Sequence, residues 1–310
     1  MLVNRCRTWD MKINYVFLKK VIKKIAAIFT EKDFIVEKRG GKYKIIFNNR
    51  FGYRKAGYSP VFYYKRLRRY FAVSLEGLTI FTKQNPCFSL INELRGYTLL
   101  NSIKKGNTII DAGASDGFIS CYFAKKVGKS GKVIALEPDP AFRKRLYKNI
   151  RLNKLKNIAV VPKALFNKNG KIAFDLQSSG ASKISKNGFL KVETITLGSL
   201  IKDFKLNKKK IKLIKLDIEG GELDVIDDLV SFIADNQQTA ACIASYHKVK
   251  GQPTYKEIEE KCKKNKKIFA KTIYPYHTTT FILNKNSNFV GKLESLPSYK
   301  KMDKKIWPKA

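Results

Sequence analysis

Residues 107–118 constrain the fold of this chain more than any other segment. An apolar strand over 108–111 runs into a turn that carries Gly113 and Gly117, and a helix over 118–126 follows. Glycine lacks a Cβ atom, so such a turn lets a ligand approach the backbone closely. The free N–H groups of the helix favour negative groups, whereas an acid at the strand end suits a cationic or hydroxyl-rich ligand. The segment therefore indicates an α/β fold that binds a nucleotide-like cofactor.

The glycine pattern distinguishes between cofactors. The dinucleotide fingerprint G-x-G-x-x-G is absent, because Ser115 stands where the middle glycine would be, and no P-loop is present. The run Asp-x-Gly-x-x-x-Gly from Asp111 to Gly117 instead resembles motif I of class I methyltransferases that use S-adenosylmethionine (SAM). A carboxylate near the turn would complement the cationic sulfonium and ammonium groups of SAM. An ordinary strand–helix turn without a ligand is the alternative.

A second acid follows the second strand. Residues 132–136 form a short apolar strand, and Glu137 comes directly after it in the run Glu-Pro-Asp-Pro. An acid at this place, about 20 residues past the glycine turn, is positioned to accept both ribose hydroxyls. A third strand over 158–161 is followed by the small residue Ala164, against which an adenine ring would lie flat.

A third acidic segment follows the strand predicted over 211–217. Asp217 and Glu219 are expected at the carboxyl end of the sheet, where open α/β sheets bind ligands. Lys215 is expected to extend its ammonium group past the strand end into solvent. Capping of the helix predicted over 222–232 is the alternative role for the two acids.

These motifs, in this order, resemble the FkbM-type methyltransferases over roughly residues 85–285. The resemblance rests on Asp-Ala-Gly-Ala-x-x-Gly, Glu-Pro-Asp-Pro, Ala-Leu and, most specifically, the Asp-Ile-Glu-Gly-x-Glu box at 217–222. It implies a Rossmann-like class I methyltransferase sheet, mostly parallel with a closing antiparallel hairpin. It also implies SAM as cofactor and O-methylation of sugars, polyketides and other small or lipid-linked acceptors.

The resemblance also assigns residues to the cofactor. The predicted cofactor-binding residues are Asp111, Gly113, Ala114, Asp116, Gly117, Phe118, Glu137, Pro138, Asp139, Ala164, Leu165 and Asp217. One residue departs from the family pattern, which usually ends motif I in Asn-Gly where this chain has Asp116. This extra carboxylate either binds the SAM ammonium group or caps the helix.

Methyl transfer to an alcohol needs positioning of the reactants and removal of the hydroxyl proton. His247, at the end of a strand predicted over 239–246, is the first candidate for the base, and His277 is the second. Asp217 or Glu219 is the alternative, and a structural role for His247 also stays open. No ligand spacing requires a metal, although a divalent cation held by these carboxylates and His247 is compatible with the sequence.

The chain divides into three parts. Residues 1–84 form a predicted basic α+β appendage, 85–290 the methyltransferase domain and 291–310 a basic tail with little to bury. The appendage begins with a basic amphipathic helix over 15–29, a candidate for contact with an anionic membrane surface. Its stretch over 51–70 interleaves aromatics with cations, which bind nucleic acid, sugar or membrane, or pack the appendage on the domain. An insertion over 170–200 is either a lid or a plain hairpin.

Composition leaves two function classes and one alternative. The net charge is +38, from 63 basic and 25 acidic residues, which favours anionic partners. A small-molecule, glycan or lipid-linked acceptor is favoured over RNA, because the carboxylates of Asp217 and Glu219 would repel phosphates. A SAM-binding module without catalysis is the third possibility. The five scattered cysteines favour a reducing cytoplasm over a disulfide framework, with peripheral membrane contact as a variant.

Overall fold

The computed structural model describes residues 34–39, 42–47, 62–67, 70–83, 90–100, 102–175, 183–184, 190–273 and 278–296. The helix predicted over 15–29 and the second base candidate, His277, lie outside these residues. Within them, no helix combines the length and the apolar character needed to cross a bilayer.

An antiparallel sheet of five strands precedes the rest of the fold, and its strands pair in sequence order. They are β1 (Phe34–Arg39), β2 (Lys42–Phe47), β3 (Phe62–Leu67), β4 (Tyr70–Leu75) and β5 (Leu78–Thr82). The predicted strands in β2, β4 and β5 are confirmed, whereas β1 and β3 were not predicted. Val73, Leu75, Leu78 and Ile80 share one apolar cluster with the helices and the larger sheet, so β4 and β5 pack on the rest of the molecule.

A seven-stranded sheet forms the centre of the fold. The remaining strands, in chain order, are β6 (Thr108–Ala112), β7 (Lys132–Leu136), β8 (Ile158–Val161), β9 (Lys163–Leu165), β10 (Gly170–Asp175), β11 (Lys183–Ile184), β12 (Leu190–Ile195), β13 (Ile211–Leu216), β14 (Ala240–Ala244), β15 (Lys248–Val249), β16 (Gln252–Pro253), β17 (Ile268–Ile273) and β18 (Thr279–Asn284). The order in the central sheet is β17-β18-β14-β13-β6-β7-β8. Strands β6, β7, β8, β13 and β14 are parallel, and β18 runs antiparallel to both of its neighbours.

The position of β6 determines where a ligand can bind. From this strand the chain adds β7 and β8 on one side, and later β13 and β14 on the other. The reversal leaves a crevice at the carboxyl ends of β6 and β13, the usual ligand site of open α/β sheets. The predicted fold class, a mostly parallel Rossmann-like sheet closed by an antiparallel hairpin, is therefore confirmed.

Helices cover both faces of the central sheet. They are α1 (Leu90–Tyr97), α2 (Phe118–Val127), α3 (Pro140–Leu152), α4 (Leu197–Asp203), α5 (Glu222–Asp235), α6 (Thr254–Lys263) and α7 (Val290–Glu294), with a 3₁₀ turn at Lys208–Lys210. All five residues of β6 and of β14 are buried, as expected for strands covered on both faces. One apolar cluster joins Ile109 to α1, α2 and α7, and a second joins Ile110 to α5 and α6.

Asn149 of α3 and Asn153, which directly follows this helix, bind the edge of the five-stranded sheet. The Asn149 amide accepts a hydrogen bond from Phe81 N–H (2.9 Å) and donates one to Phe81 C=O (2.9 Å). One helical turn later, Asn153 makes the same pair of bonds with Thr79, at 2.8 Å each. The side chains thus take the place of a further strand beside β5. Asn149 also donates to Asp116 C=O (2.8 Å), which links this contact to the glycine turn.

The insertion and the preceding strand β9 form a further sheet of four strands in the order β11-β10-β12-β9. The strands predicted over 171–176 and 190–197 correspond to β10 and β12. The connecting residues 176–182 and 185–189 lie outside the described residues, so a lid over the site stays a prediction.

The predicted tail is wrong in its first residues. Helix α7 begins at Val290, and Leu293 and Leu296 are buried in the cluster that also contains α2. The lysine-rich composition of the segment obscured these two leucines, whose burial anchors residues 290–296 on the core. Residues 297–310 lie outside the described residues.

Candidate active site

The glycine turn after β6 is shaped by the protein's own packing. Gly113 has φ 77°, and a Cβ atom there would lie 1.9 Å from the carbonyl oxygen of Asp217. Gly117 has φ 84°, and its Cβ would lie 2.2 Å from Cδ1 of Leu146. Both positions therefore require glycine for backbone conformation and for close contact with β13 and α3. Close approach of a ligand to this turn stays a prediction beside this packing role.

Glu137 closes this turn from the end of β7. Its carboxylate accepts hydrogen bonds from the N–H groups of Ser115 (2.6 Å) and Asp139 (2.9 Å). Burial is the largest influence on Glu137 and raises the pKa of its carboxyl group from 4.5 to about 7. Each carboxylate oxygen retains a lone pair for a further donor. The buried hydroxyl of Ser115 has no hydrogen-bond partner, so the turn presents an unused polar group beside Glu137.

The two other acids near the turn cap helices. Asp116 is buried at the start of α2, which raises its pKa; hydrogen bonds from the Thr82 side chain and the Phe118 N–H oppose this rise. Asp139 accepts from Ala141 N–H (2.7 Å) and Phe142 N–H (3.3 Å) at the start of α3. The contacts of Asp116 favour the capping role over contact with a ligand ammonium group.

Asp111 faces the protein interior, where it meets a residue whose position was predicted wrongly. Lys215 is 2 % exposed and does not extend into solvent. Its Nζ lies 3.0 Å from Asp111 Oδ1 and donates to Gly113 C=O at 2.7 Å. Ser120 donates to the other carboxylate oxygen of Asp111. Burial alone would lower the pKa of Lys215, but the charges of Asp111 and Asp217 outweigh it and raise the pKa. Lys215 thus ties the glycine turn to β13.

Three carboxylates surround His247 at the carboxyl ends of β13 and β14. The Nε2 atom of His247 lies 3.5 Å from Asp217 Oδ1 and 3.4 Å from Glu219 Oε2. On the other side of the ring, Nδ1 lies 3.0 Å from Glu222 Oε1. The predicted catalytic residues Asp217, Glu219 and His247 therefore come together, although His247 is distant in sequence from the two acids. We call these three residues and Glu222 the acidic cluster.

Charge and burial perturb the groups of the acidic cluster. Burial would lower the pKa of His247, but the contact with Glu222 and the charges of Asp217 and Glu219 raise it to about 9. Burial raises the pKa of Glu219 to about 7. An imidazole with this pKa carries its proton at neutral pH, so without a further ligand His247 is poorly suited to act as the base.

Helix α1 contributes two residues that sequence analysis missed. Tyr97 donates its hydroxyl to Asp217 Oδ2 at 3.1 Å. Burial and the charge of Asp217 raise the pKa of Glu93 well above its usual value. No motif marks either residue. Only the apolar segment Leu99–Leu100 that follows indicates that the helix packs against the core.

The predicted adenine contacts lie on β9 and beside β7. Ala164 and Leu165 are buried; Ala164 packs with Phe174 and Val192, and Leu165 with the core of the central sheet. Pro138 is half-buried between the two acids Glu137 and Asp139. Their contact with a cofactor stays a prediction.

Comparison with known proteins determines the family. The profile of the FkbM methyltransferase domain matches residues 111–268, which include the glycine turn, Glu137 and the acidic cluster. The chain belongs to the FkbM methyltransferase family. FkbM enzymes are methyltransferases whose cofactor is SAM, and this FkbM domain therefore uses SAM. No curated protein matches the chain in sequence.

Several solved structures are similar to parts of this chain, all at low identity. An FkbM methyltransferase from Methylobacillus flagellatus is 18% identical over 59% of this chain, with a TM-score of 0.40. The chain spans 44% of the length of that protein. Fibrillarin from Aeropyrum pernix with bound SAM is 11% identical over 81% of this chain and 99% of its own, with a TM-score of 0.41. A putative O-methyltransferase from Klebsiella pneumoniae is 9% identical over 57% of this chain and 73% of its own, with a TM-score of 0.38.

The residues at the glycine turn fit SAM. Glu137 keeps acceptor capacity for two ribose hydroxyls, and the unpartnered Ser115 hydroxyl lies in the same turn. The acidic cluster, on the other side of Gly113, supplies negative charge for a cationic group. When bound, SAM supplies an electrophilic methyl group on its sulfonium. Of the chain's own residues, Glu137 would orient the ribose and Asp217 would provide a negatively charged rim for the cationic part of SAM.

Proposed function

We propose that the protein transfers the methyl group of SAM to a hydroxyl group of a small-molecule acceptor, of the sugar or lipid-linked kind. One observation carries this proposal. The imidazole of His247 is surrounded by three carboxylates, those of Asp217, Glu219 and Glu222. It lies at the carboxyl ends of the central strands, beside the glycine turn. A hydroxyl group is neutral and donates hydrogen bonds to carboxylates, so this rim favours a polyol over a phosphate-bearing acceptor.

The acidic cluster also suits the chemistry of oxygen methylation. The acceptor oxygen forms the new O–CH₃ bond, the S–CH₃ bond breaks, and its electron pair remains on sulfur. The hydroxyl proton must leave as the bond forms, and the carboxylate of Asp217 or Glu219 accepts it. Tyr97, which donates to Asp217, fixes the orientation of that carboxylate. Orientation of this kind contributes much of the rate of a displacement.

The test is transfer of a radiolabelled methyl group from SAM to a panel of sugars, glycolipids and short RNAs. We expect label in a hydroxyl-bearing small molecule, located on oxygen by mass spectrometry of the fragmented product. Asp217→Asn should lower transfer by about 100-fold, while the exposed Asp228→Asn on α5 should leave it unchanged. Label in RNA alone would contradict the proposal.

Transfer to RNA is the second candidate, and the exposed face of α3 favours it. The exposed residues follow helical spacing and combine cations with two large apolar side chains: Lys144, Tyr147, Lys148, Arg151 and Leu152. Such a face suits an anionic partner. The salt dependence of RNA binding separates a weak electrostatic contact from a specific substrate site.

A further inference from the structure

The geometry around His247 does not correspond to ordinary hydrogen bonding. The side chain is 8 % exposed, yet its Nε2 has no hydrogen-bond partner. The nearest acceptors, on Asp217 and Glu219, lie at 3.5 Å and 3.4 Å. A charged N–H···O bond is typically about 2.7–2.9 Å long. The ring nitrogen therefore faces a gap between two carboxylates that direct contact does not close.

These separations fit ligands around a common centre. Ligand atoms about 2.0–2.2 Å from one cation lie about 3.0–3.5 Å apart at octahedral to tetrahedral angles. One ligand atom each from Asp217, Glu219 and His247 lies within 4.8 Å of the others. We propose that Asp217, Glu219 and His247 bind a divalent cation of the manganese-to-zinc series.

The residues behind these three ligands support the proposal. A metal-bound histidine almost always has a carboxylate or carbonyl at its other ring nitrogen, which fixes the ring orientation. Here Glu222 Oε1 lies 3.0 Å from Nδ1, and the same oxygen accepts from Ile218 N–H at 3.0 Å. Asp217 is oriented in turn by the hydroxyl of Tyr97. Glu222 thus lies beside the ring nitrogen where the supporting carboxylate of a metal-bound histidine is expected, and Tyr97 holds the carboxylate of Asp217.

The ligand set indicates the kind of cation. One imidazole with two carboxylates suits Mn²⁺, Fe²⁺ or Zn²⁺, whereas Ca²⁺ and Mg²⁺ are usually bound by oxygen alone. Three protein ligands leave further positions open, as in catalytic metal centres.

The cation would act on the acceptor. A hydroxyl group coordinated at an open position has a lowered pKa and loses its proton to solvent water. Its oxygen would then attack the methyl carbon of SAM, the S–CH₃ bond would break with its electron pair left on sulfur, and Asp217 and Glu219 would serve as ligands rather than bases. This catalytic use rests on the proposed transfer to a hydroxyl group, whereas the cation site itself does not.

The test begins with metal binding by the full chain, without substrate. EDTA-treated protein is titrated with MnCl₂, and free Mn²⁺ is followed by its electron paramagnetic resonance signal; ZnCl₂ is then used as competitor. We expect one Mn²⁺ per chain, displaced by Zn²⁺. Glu219 is the more exposed of the two carboxylate ligands, and Glu219→Gln should weaken Mn²⁺ binding by about 10–100-fold. Asp228→Asn on the surface of α5 should leave binding unchanged.

The outcomes separate this inference from the proposed function. The absence of saturable Mn²⁺ and Zn²⁺ binding, or equal binding by wild type and Glu219→Gln, would overturn the metal site. Transfer to a hydroxyl acceptor that continues unchanged in EDTA would leave the proposed function intact and remove the cation from it. Cation binding that depends on Glu219, without transfer to any hydroxyl acceptor, would retain the site and reject the acceptor class. His247→Gln serves as a second variant, with circular dichroism to confirm that it folds.

Discussion

Replacing Glu137 by glutamine should remove a pH dependence from the stability of the cofactor-free protein. Burial raises the pKa of this carboxyl group from 4.5 to about 7, so the folded chain holds a proton that the unfolded chain has released. The contribution to stability is complete below pH 4.5 and is lost as the pH rises through about 7. At about 1.4 kcal/mol for each pH unit, this loss amounts to about 3 kcal/mol.

The effect on stability is measured as the difference between the wild type and Glu137→Gln in how their free energy of unfolding depends on pH. Urea unfolding of wild type and Glu137→Gln is compared between about pH 5 and pH 8 without SAM. Wild type should lose about 3 kcal/mol more than the variant over this range. The variant's absolute stability is not the criterion, because its amide NH₂ faces the N–H of Ser115 or Asp139 and costs about 1–3 kcal/mol at every pH.

The same variant tests the contact with the cofactor. Loss of hydrogen bonds from the ribose to a charged carboxylate, worth about 1.5–3 kcal/mol, should weaken SAM binding by about 10–100-fold in calorimetry at pH 8. The exposed Glu260→Gln on α6 is the matched control and should change neither quantity. Parallel stability curves would refute the burial argument, and unchanged SAM affinity would refute the assignment to the ribose.

Three further substitutions test the scaffold of the site. Gly113→Ala places a Cβ atom against the Asp217 carbonyl at a residue with positive φ. It should lower the free energy of unfolding by about 3 kcal/mol or more, measured by urea unfolding. An unchanged midpoint would show that β6 and β13 separate easily. Lys215→Met leaves Asp111 buried without its counter-charge and should cost about 3–5 kcal/mol, measured in the same way; an equally stable variant would mean that Asp111 takes up a proton cheaply. Asn149→Ala should cost about 2 kcal/mol and speed amide exchange in β5, and unaltered exchange would contradict its role at that edge.

The order of elements was predictable because local patterns coincide with the fold. Strands β6, β7 and β8 are short apolar runs that end at an acid, a proline or a turn, and the structure keeps their bounds within one residue. The reversal at β6 followed from the family motifs, since those motifs lie at the carboxyl ends of its strands. Strand β3 was missed because its aromatic and basic residues were interpreted as part of a binding surface over 51–70, and β1 was not recognised as a strand.

The contacts within the site were harder to predict from the sequence than the residues that form it. The sequence brings Asp217 and Glu219 to one edge, but only the fold brings Glu222 to Nδ1 of His247. Lys215 was predicted to reach solvent because a charged residue at a strand end usually does, and the buried Asp111 reverses that expectation. Tyr97 comes from a helix without a motif, so its bond to Asp217 depends entirely on packing between distant segments.

The asparagine contacts on β5 also have a consequence for solubility. A sheet whose last strand offers free N–H and C=O groups invites pairing with another molecule and growth into aggregates. Thr79 and Phe81, which turn such groups outward from β5, have them occupied by Asn149 and Asn153 of the same chain. Asn149 and Asn153 therefore block this edge of the sheet. Another copy of the protein would have to break four internal hydrogen bonds before adding a strand beside β5.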